Sequence, residues 1–178
     1  MSKTTTFVIA GFGGQGVLFC GKVISYSGML ADLQVSWLPS YGPEMRGGTA
    51  NCSVTISDDQ IGSPLVLDPD ILVVLNNPSF EKFEKSVKAG GTIIMDNSLI
   101  TLECSRTDVK VFKIPATKIA NENNLKGLGN MIVLGKLLKE TGFIEENIFF
   151  KALEKCIPPS KPQMLELNKK AIALGFDY

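Results

Sequence analysis

The apolar run Phe7-Val8-Ile9-Ala10 leads directly into Gly11-Phe12-Gly13-Gly14-Gln15-Gly16-Val17. A strand that runs into G-x-G-x-x-G and then into a helix is the fingerprint of a Rossmann-type loop. Gly11 permits the tight turn, Gly13 a close backbone approach, and Gly16 the packing of helix on strand. Free backbone N–H groups at the following helix start can hold an anion. Few other local patterns commit a chain so early to a strand–loop–helix unit.

The rest of the chain continues that α/β rhythm. Thr5–Ala10 predicts the first strand, 17–33 a long helix, and 34–38 a short strand ended by Pro39. Ala50, Cys52, Val54 and Ile56 alternate with Asn51, Ser53, Thr55 and Ser57, which predicts a half-exposed strand. Asp58-Asp59 reads as its turn, with a return strand near Ile61 and a hairpin or antiparallel edge as the outcome. The short apolar runs 71–75 and 92–95 read as buried parallel strands, with 109–114 a further strand. Between them, Asn76-Asn77-Pro78 starts a helix with the buried stripe Phe80, Phe83 and Val87. Helices are expected at 116–121, 130–141, 145–157 and 162–174. The pattern predicts a Rossmann-like α/β fold. It has a mainly parallel sheet flanked by helices, an antiparallel strand pair and a helical C-terminal third. One domain over residues 1–178 fits the length.

Composition narrows the chemistry. Lys+Arg and Asp+Glu are equal at 18 each, so no basic field exists to draw nucleic acid. The polar N-terminal stretch 1–6 does not read as a signal peptide, and no apolar run of about 20 residues exists to span a membrane. The expectation is a cytoplasmic, membrane-free protein. Its four cysteines stand at 20, 52, 104 and 156, outside any C-x-x-C pair, and there is no histidine. Buried reduced thiols are the plain reading; a zinc site, an iron–sulfur cluster or imidazole catalysis within this chain is not expected.

The glycine loop leaves three readings open. Bound dinucleotide requires an acidic residue at the end of the second strand, to hold the ribose hydroxyls. That strand ends in Ser36-Trp37-Leu38; Asp32 comes too early and Glu44 too late. A second reading is a glycine turn that serves helix packing alone. A third is another phosphate or anionic group, or a partner chain, met at the loop. Gln15, a neutral donor and acceptor at the loop mouth, suits a polar ligand or a facing backbone.

A second string, Tyr41-Gly42-Pro43-Glu44-Met45-Arg46-Gly47-Gly48, follows the second strand. Pro39 and Pro43 stiffen it, and Tyr41, Glu44 and Arg46 put three large polar groups within six positions. Gly47-Gly48 permits a sharp turn and the approach of another backbone. A surface loop with an internal Glu44–Arg46 ion pair is the competing reading.

Together, Gly11–Gly16 and Ser40–Gly48 resemble the gamma subunit of the 2-oxoacid:ferredoxin oxidoreductases, most closely that of the 2-oxoglutarate enzymes. The similarity continues through Thr49-Ala50-Asn51-Cys52-Ser53-Val54, the turn Asn76-Asn77-Pro78 and the 127–135 region. The resemblance implies a subunit of a complex that decarboxylates a 2-oxoacid on thiamine diphosphate. Such a complex passes electrons through iron–sulfur clusters to ferredoxin and transfers the acyl group to coenzyme A. It implies that thiamine diphosphate and the clusters lie on partner alpha, beta and ferredoxin-like delta subunits, with no catalytic residue in this chain. Gly11, Gly13, Gly14, Gln15 and Gly16 would then form a loop for coenzyme A or an interface. Tyr41, Glu44, Arg46, Gly47 and Gly48 would face the assembled active site, with Arg46 meeting a phosphate or a partner carboxylate. The alternatives are a stand-alone NAD(P)-binding reductase and the corresponding subunit of the branched-chain 2-oxoacid or indolepyruvate enzymes.

Overall fold

The computed structural model describes residues 3–40 and 49–178, so the string Tyr41–Gly48 lies outside the described residues. The elements are β1 (Thr4–Phe12), α1 (Val17–Leu30), β2 (Gln34–Ser40), β3 (Thr49–Ser57), β4 (Ile71–Val74), α2 (Asn77–Phe83), β5 (Thr92–Asp96) and β6 (Lys110–Ile114). Then come α3 (Ala116–Glu122), α4 (Gly129–Thr141), α5 (Glu146–Cys156) and α6 (Pro162–Asp177). One six-stranded sheet runs in the order β2-β3-β1-β4-β5-β6. β1, β4, β5 and β6 are parallel; β3 is antiparallel to both β1 and β2. The Rossmann-like α/β architecture, its antiparallel pair and its helical last third are as the sequence predicts.

Two details differ. The half-exposed strand β3 is not an edge: it sits between β1 and β2, and β2 takes the edge. No strand forms near Ile61; residues 58–70 run as bends and irregular chain instead. β2 also continues through Pro39 to Ser40, which an edge strand tolerates because no neighbour needs the missing N–H.

Period-two alternation sorts the side chains onto two cores. Phe7, Ile9, Ile71, Val73, Ile94 and Ile114 face one side, under α1 and α3–α6. Val8, Ala10, Leu72, Val74, Ile93 and Met95 face the other, where Phe80 of α2 and Val87 meet them. Each fully buried side chain of this size contributes roughly 1.5–3 kcal/mol relative to exposure. β3 is buried on the first face by Ala50, Cys52, Val54 and Ile56 against α1. Asp70 ties β4 back to β1. Its carboxylate accepts from the Thr6 N–H (2.8 Å), the Thr6 hydroxyl (2.6 Å) and Lys88 Nζ (2.8 Å). Burial by itself would raise this carboxyl, but those hydrogen bonds outweigh it and hold Asp70 below the usual carboxylate range.

Among the described residues no helix is long and apolar enough to cross a membrane. The thiols of Cys20, Cys52 and Cys156 are free and buried, while Cys104 is half-buried. Burial pushes Cys20 up strongly, Cys52 to about 12 and Cys156 to about 11, so none is a ready thiolate.

The helical third is locked by a backbone-to-backbone crossing of α4 and α6. A Cβ on Gly135 would run into the Ile172 carbonyl oxygen, and one on Gly175 into that of Ile132. Rigid backbone on both sides leaves no room to yield. Gly175→Ala is therefore expected to cost about 2–3 kcal/mol or more, the upper range for overpacking. Gly62→Ala, with open space at its Cβ, should stay within about 0.5 kcal/mol of wild type. Urea unfolding of the two variants checks both values.

Candidate functional site

The parallel strands deliver their carboxyl ends to one edge of the sheet, where open α/β folds bind ligands. A cavity of about 140 Å³ opens there, lined by Gly14, Gln15, Leu75, Asp96, Thr117 and Asn130 among others. They come from five places along that edge: Gly14 and Gln15 from the loop after β1, and the others from the end of β4, the end of β5, the start of α3 and the start of α4.

Gly11 is buried at the end of β1, and Gly13 is exposed on the turn outside the cavity lining. Gly14 lines the cavity at φ 93°, and Gly16 precedes α1 at φ 74°. Gly16 has a double reason to be glycine: its left-handed backbone, and the Asn130 side-chain amide standing where a Cβ would be. The turn closes with the Gln15 N–H donating to the Phe12 carbonyl at 3.1 Å.

Gln15 is spent on the protein's own backbone. Its Oε1 accepts from the Phe12 N–H at 2.5 Å and its Nε2 donates to the Leu75 carbonyl at 3.0 Å. One side chain thus pins the glycine loop to the end of β4. Of the two uses open to it from sequence, the structure shows the facing backbone. Asn130 Nδ2 approaches the Gly16 carbonyl at 3.4 Å, while its buried Oδ1 has no partner.

Sequence reading missed Asp96, Thr117 and Asn130 as members of this edge. Asp96 carried the one available signal, a carboxylate at the end of a parallel strand. It is buried and fully engaged: Oδ2 accepts from the Thr117 N–H (3.0 Å) and hydroxyl (2.6 Å), and Oδ1 from the Ser98 N–H (3.0 Å). Thr117 and Asn130 lie far away in sequence and carried no such mark.

Neither α1 nor α4 has a side-chain N-cap or an acidic residue in its first turn. Such helix starts favour an anion. Against that, among the described residues the lining contains the Asp96 carboxylate and no Lys or Arg. The described cavity therefore has room and N–H groups for one phosphate-sized group, but not the cation that would balance it. The dinucleotide reading fails on topology too. The strand beside β1 on that side is β3, running the opposite way, so its first residue Thr49 stands opposite Phe12 where the ribose-binding acid would be needed.

Comparison with known proteins decides the family. Residues 6–178 match the pyruvate ferredoxin/flavodoxin oxidoreductase family. The chain belongs to that family. It is 37% identical over 172 residues to the ketoisovalerate oxidoreductase subunit VorA of Methanothermobacter thermautotrophicus, covering 96% of this chain but only 35% of the relative. It is 34% identical over 172 residues to the 2-oxoglutarate synthase subunit KorC of Methanocaldococcus jannaschii, covering 95% of this chain and 90% of that one. The crystal structure of a keto/oxoacid ferredoxin oxidoreductase gamma subunit from Geobacter sulfurreducens superposes with a TM-score of 0.82 at 27% identity. It covers 97% of this chain and 96% of that one. The family resemblance carried by the two glycine motifs holds.

Two substitutions probe this edge. Gln15→Glu keeps the acceptor for Phe12 but sets a carboxylate against the Leu75 carbonyl, at an expected cost of about 1–3 kcal/mol at pH 7. Protonation of the new carboxyl restores a donor and the unfavourable contact raises its folded-state value above the unfolded one, so the loss should shrink as the pH falls toward about 4.3 and vanish below it. Unfolding at pH 7 and pH 4 checks the sign. On the other face of the same edge, the Ser79 hydroxyl is buried without a partner beside Asn76. Ser79→Ala should accordingly leave stability unchanged or raise it by up to about 1 kcal/mol in thermal unfolding.

Proposed function

We propose that this chain is the gamma subunit of a 2-oxoglutarate (2-oxoacid):ferredoxin oxidoreductase. The complex oxidatively decarboxylates a 2-oxoacid to acyl-CoA and reduces ferredoxin. The whole chain, residues 1–178, serves as one gamma-type domain. The observation that carries this reading is the match to KorC along nearly the full length of both chains. Alpha, beta and ferredoxin-like delta subunits complete the complex in the cytoplasm and carry thiamine diphosphate and the iron–sulfur clusters, which supply the carbanion and electron-transfer chemistry.

This chain's part is to shape the region where coenzyme A arrives. Gly14, Gly16 and the open N–H groups of α1 suit a phosphate at the sheet edge. Gly11 and Gln15 hold that loop in place, and Gly13 presents exposed backbone outside it. A cavity of about 140 Å³ encloses only a fragment of so large a ligand. The remainder would lie against neighbouring chains, and the balancing cation must come from outside the described lining. Arg46, in the string with Tyr41, Glu44, Gly47 and Gly48, is the candidate on this chain.

The test is purification of the tagged chain from its native source, with intact mass of what accompanies it. A thiamine-binding partner chain is expected. The isolated chain should show no 2-oxoglutarate-dependent viologen reduction. Turnover by the single chain, or micromolar NADH binding in calorimetry, would overturn the reading.

A further inference from the structure

The two edges of the sheet are built differently. β6 ends the parallel side with Lys110 and Lys113 among its five residues, and Lys113 pairs with Glu103. Lysines on an edge strand discourage other chains from adding to it. β2 ends the antiparallel side, and its sequence Gln34-Val35-Ser36-Trp37-Leu38-Pro39-Ser40 contains no charge. Neither does β3 beside it, although a fifth of the chain is charged. Trp37 is 41% exposed, Leu38 39%, and Phe12 at the end of β1 41%.

α1 covers one face of β2 and β3. Among the described residues no helix packs extensively on the other face of this pair, where Leu38 of β2 lies across from the half-buried Ser53 of β3, and Ser36 across from Thr55, which is buried and shares a cleft with the 58–70 segment. An uncharged edge with an exposed Trp on one side and an exposed Leu on the other has the composition of an interface centre.

The relatives say what lies beside such a domain. This chain corresponds to 35% of VorA, so in that protein the matching part is joined to further polypeptide that makes up the remaining, larger share of its length. We infer that the edge formed by β2, with Trp37 exposed on its α1 side and Leu38 on the opposite side, seats this chain on the partner subunit that corresponds to the rest of VorA. This rests on the subunit reading above and adds the surface to it. The chemistry asks for a partner surface that is apolar and uncharged. Pro39 lacks an N–H, so backbone pairing along the edge is limited to Gln34–Leu38.

The test uses the complex purified from the native source through tagged chains. Leu38→Glu places a charge at the centre of the proposed contact and should lower the co-purified partner at least about tenfold. Leu67→Glu, at a leucine 69% exposed on the 58–70 segment, should retain it. Hydroxyl-radical footprinting of the intact wild-type complex removes any dependence on variant folding. Trp37 and Leu38 should be protected while Leu67 is oxidised. Full partner recovery with Leu38→Glu, or oxidation of Trp37 and Leu38 matching Leu67, overturns this surface and leaves the subunit reading standing. Wild-type chain that elutes alone, or only with copies of itself, overturns both.

Discussion

The insertion of β3 between β1 and β2 is the constraint on which the rest of the molecule depends. α1 carries the chain from β1 past one strand position to β2, and β3 returns to fill the gap in the opposite sense. Its register is continuous on both sides, with nine residues paired to β1 and seven to β2. That choice brings Thr49, the first described residue after the 41–48 string, opposite Phe12 of the glycine loop. Ser40 and Thr49, the described residues on either side of that string, therefore stand at the same end of the sheet as Phe12.

The same insertion explains what the glycine loop is not. A dinucleotide site needs parallel neighbours whose carboxyl ends present loop and acid together. Here the neighbour on that side is antiparallel and presents its amino end. With β3 between β1 and β2, a carboxylate placed at Leu38 would stand a full strand further from the glycine loop and would not recreate that geometry. What remains is a glycine turn held by Gln15 against Leu75 and by Asn130 against Gly16, so β1, β4 and α4 are registered to one another through the loop.

Local pattern made most elements readable. The apolar runs 71–75 and 92–95 became β4 and β5 because burial on both faces leaves no room for alternation. Asn76 capped α2, accepting from the Ser79 N–H at 2.8 Å, where the Asn-Asn-Pro turn placed it. The alternation of β3 correctly reported the core face of Ala50, Cys52, Val54 and Ile56, but its other face is only half-buried at Thr49, Asn51 and Ser53 and is buried at Thr55 and Ser57. It could not report whether the strand lies inside the sheet or at its edge, since face exposure and edge pairing are independent. Residues 58–70 looked like a hairpin return because Ile61 follows a turn, yet no partner strand is free there. The site was legible only in its contiguous part. Gln15 was recognisable as a polar group at the loop mouth, but its commitment to Leu75 joins residues 60 positions apart. Asp96 and Thr117 find each other across 21 positions, and Asn130 reaches Gly16 across 114.

The electrostatics of the cavity follow from these long-range partners and bear on why the chain is a component. A helix start with free N–H groups attracts an anion by roughly 0.3–1 kcal/mol when exposed and up to about 2 when partly buried. A carboxylate in the same lining opposes it. Three donors occupy Asp96, which moderates that opposition without reversing its sign. The described lining has no Lys or Arg to offset that opposition. A cation brought in by assembly, or by Arg46, would tip the balance by an amount comparable to a charge-assisted hydrogen bond, about 1.5–3 kcal/mol. Ligand affinity and association would then be linked: the anion would bind the assembled complex better than the free chain, and by the same factor would favour assembly.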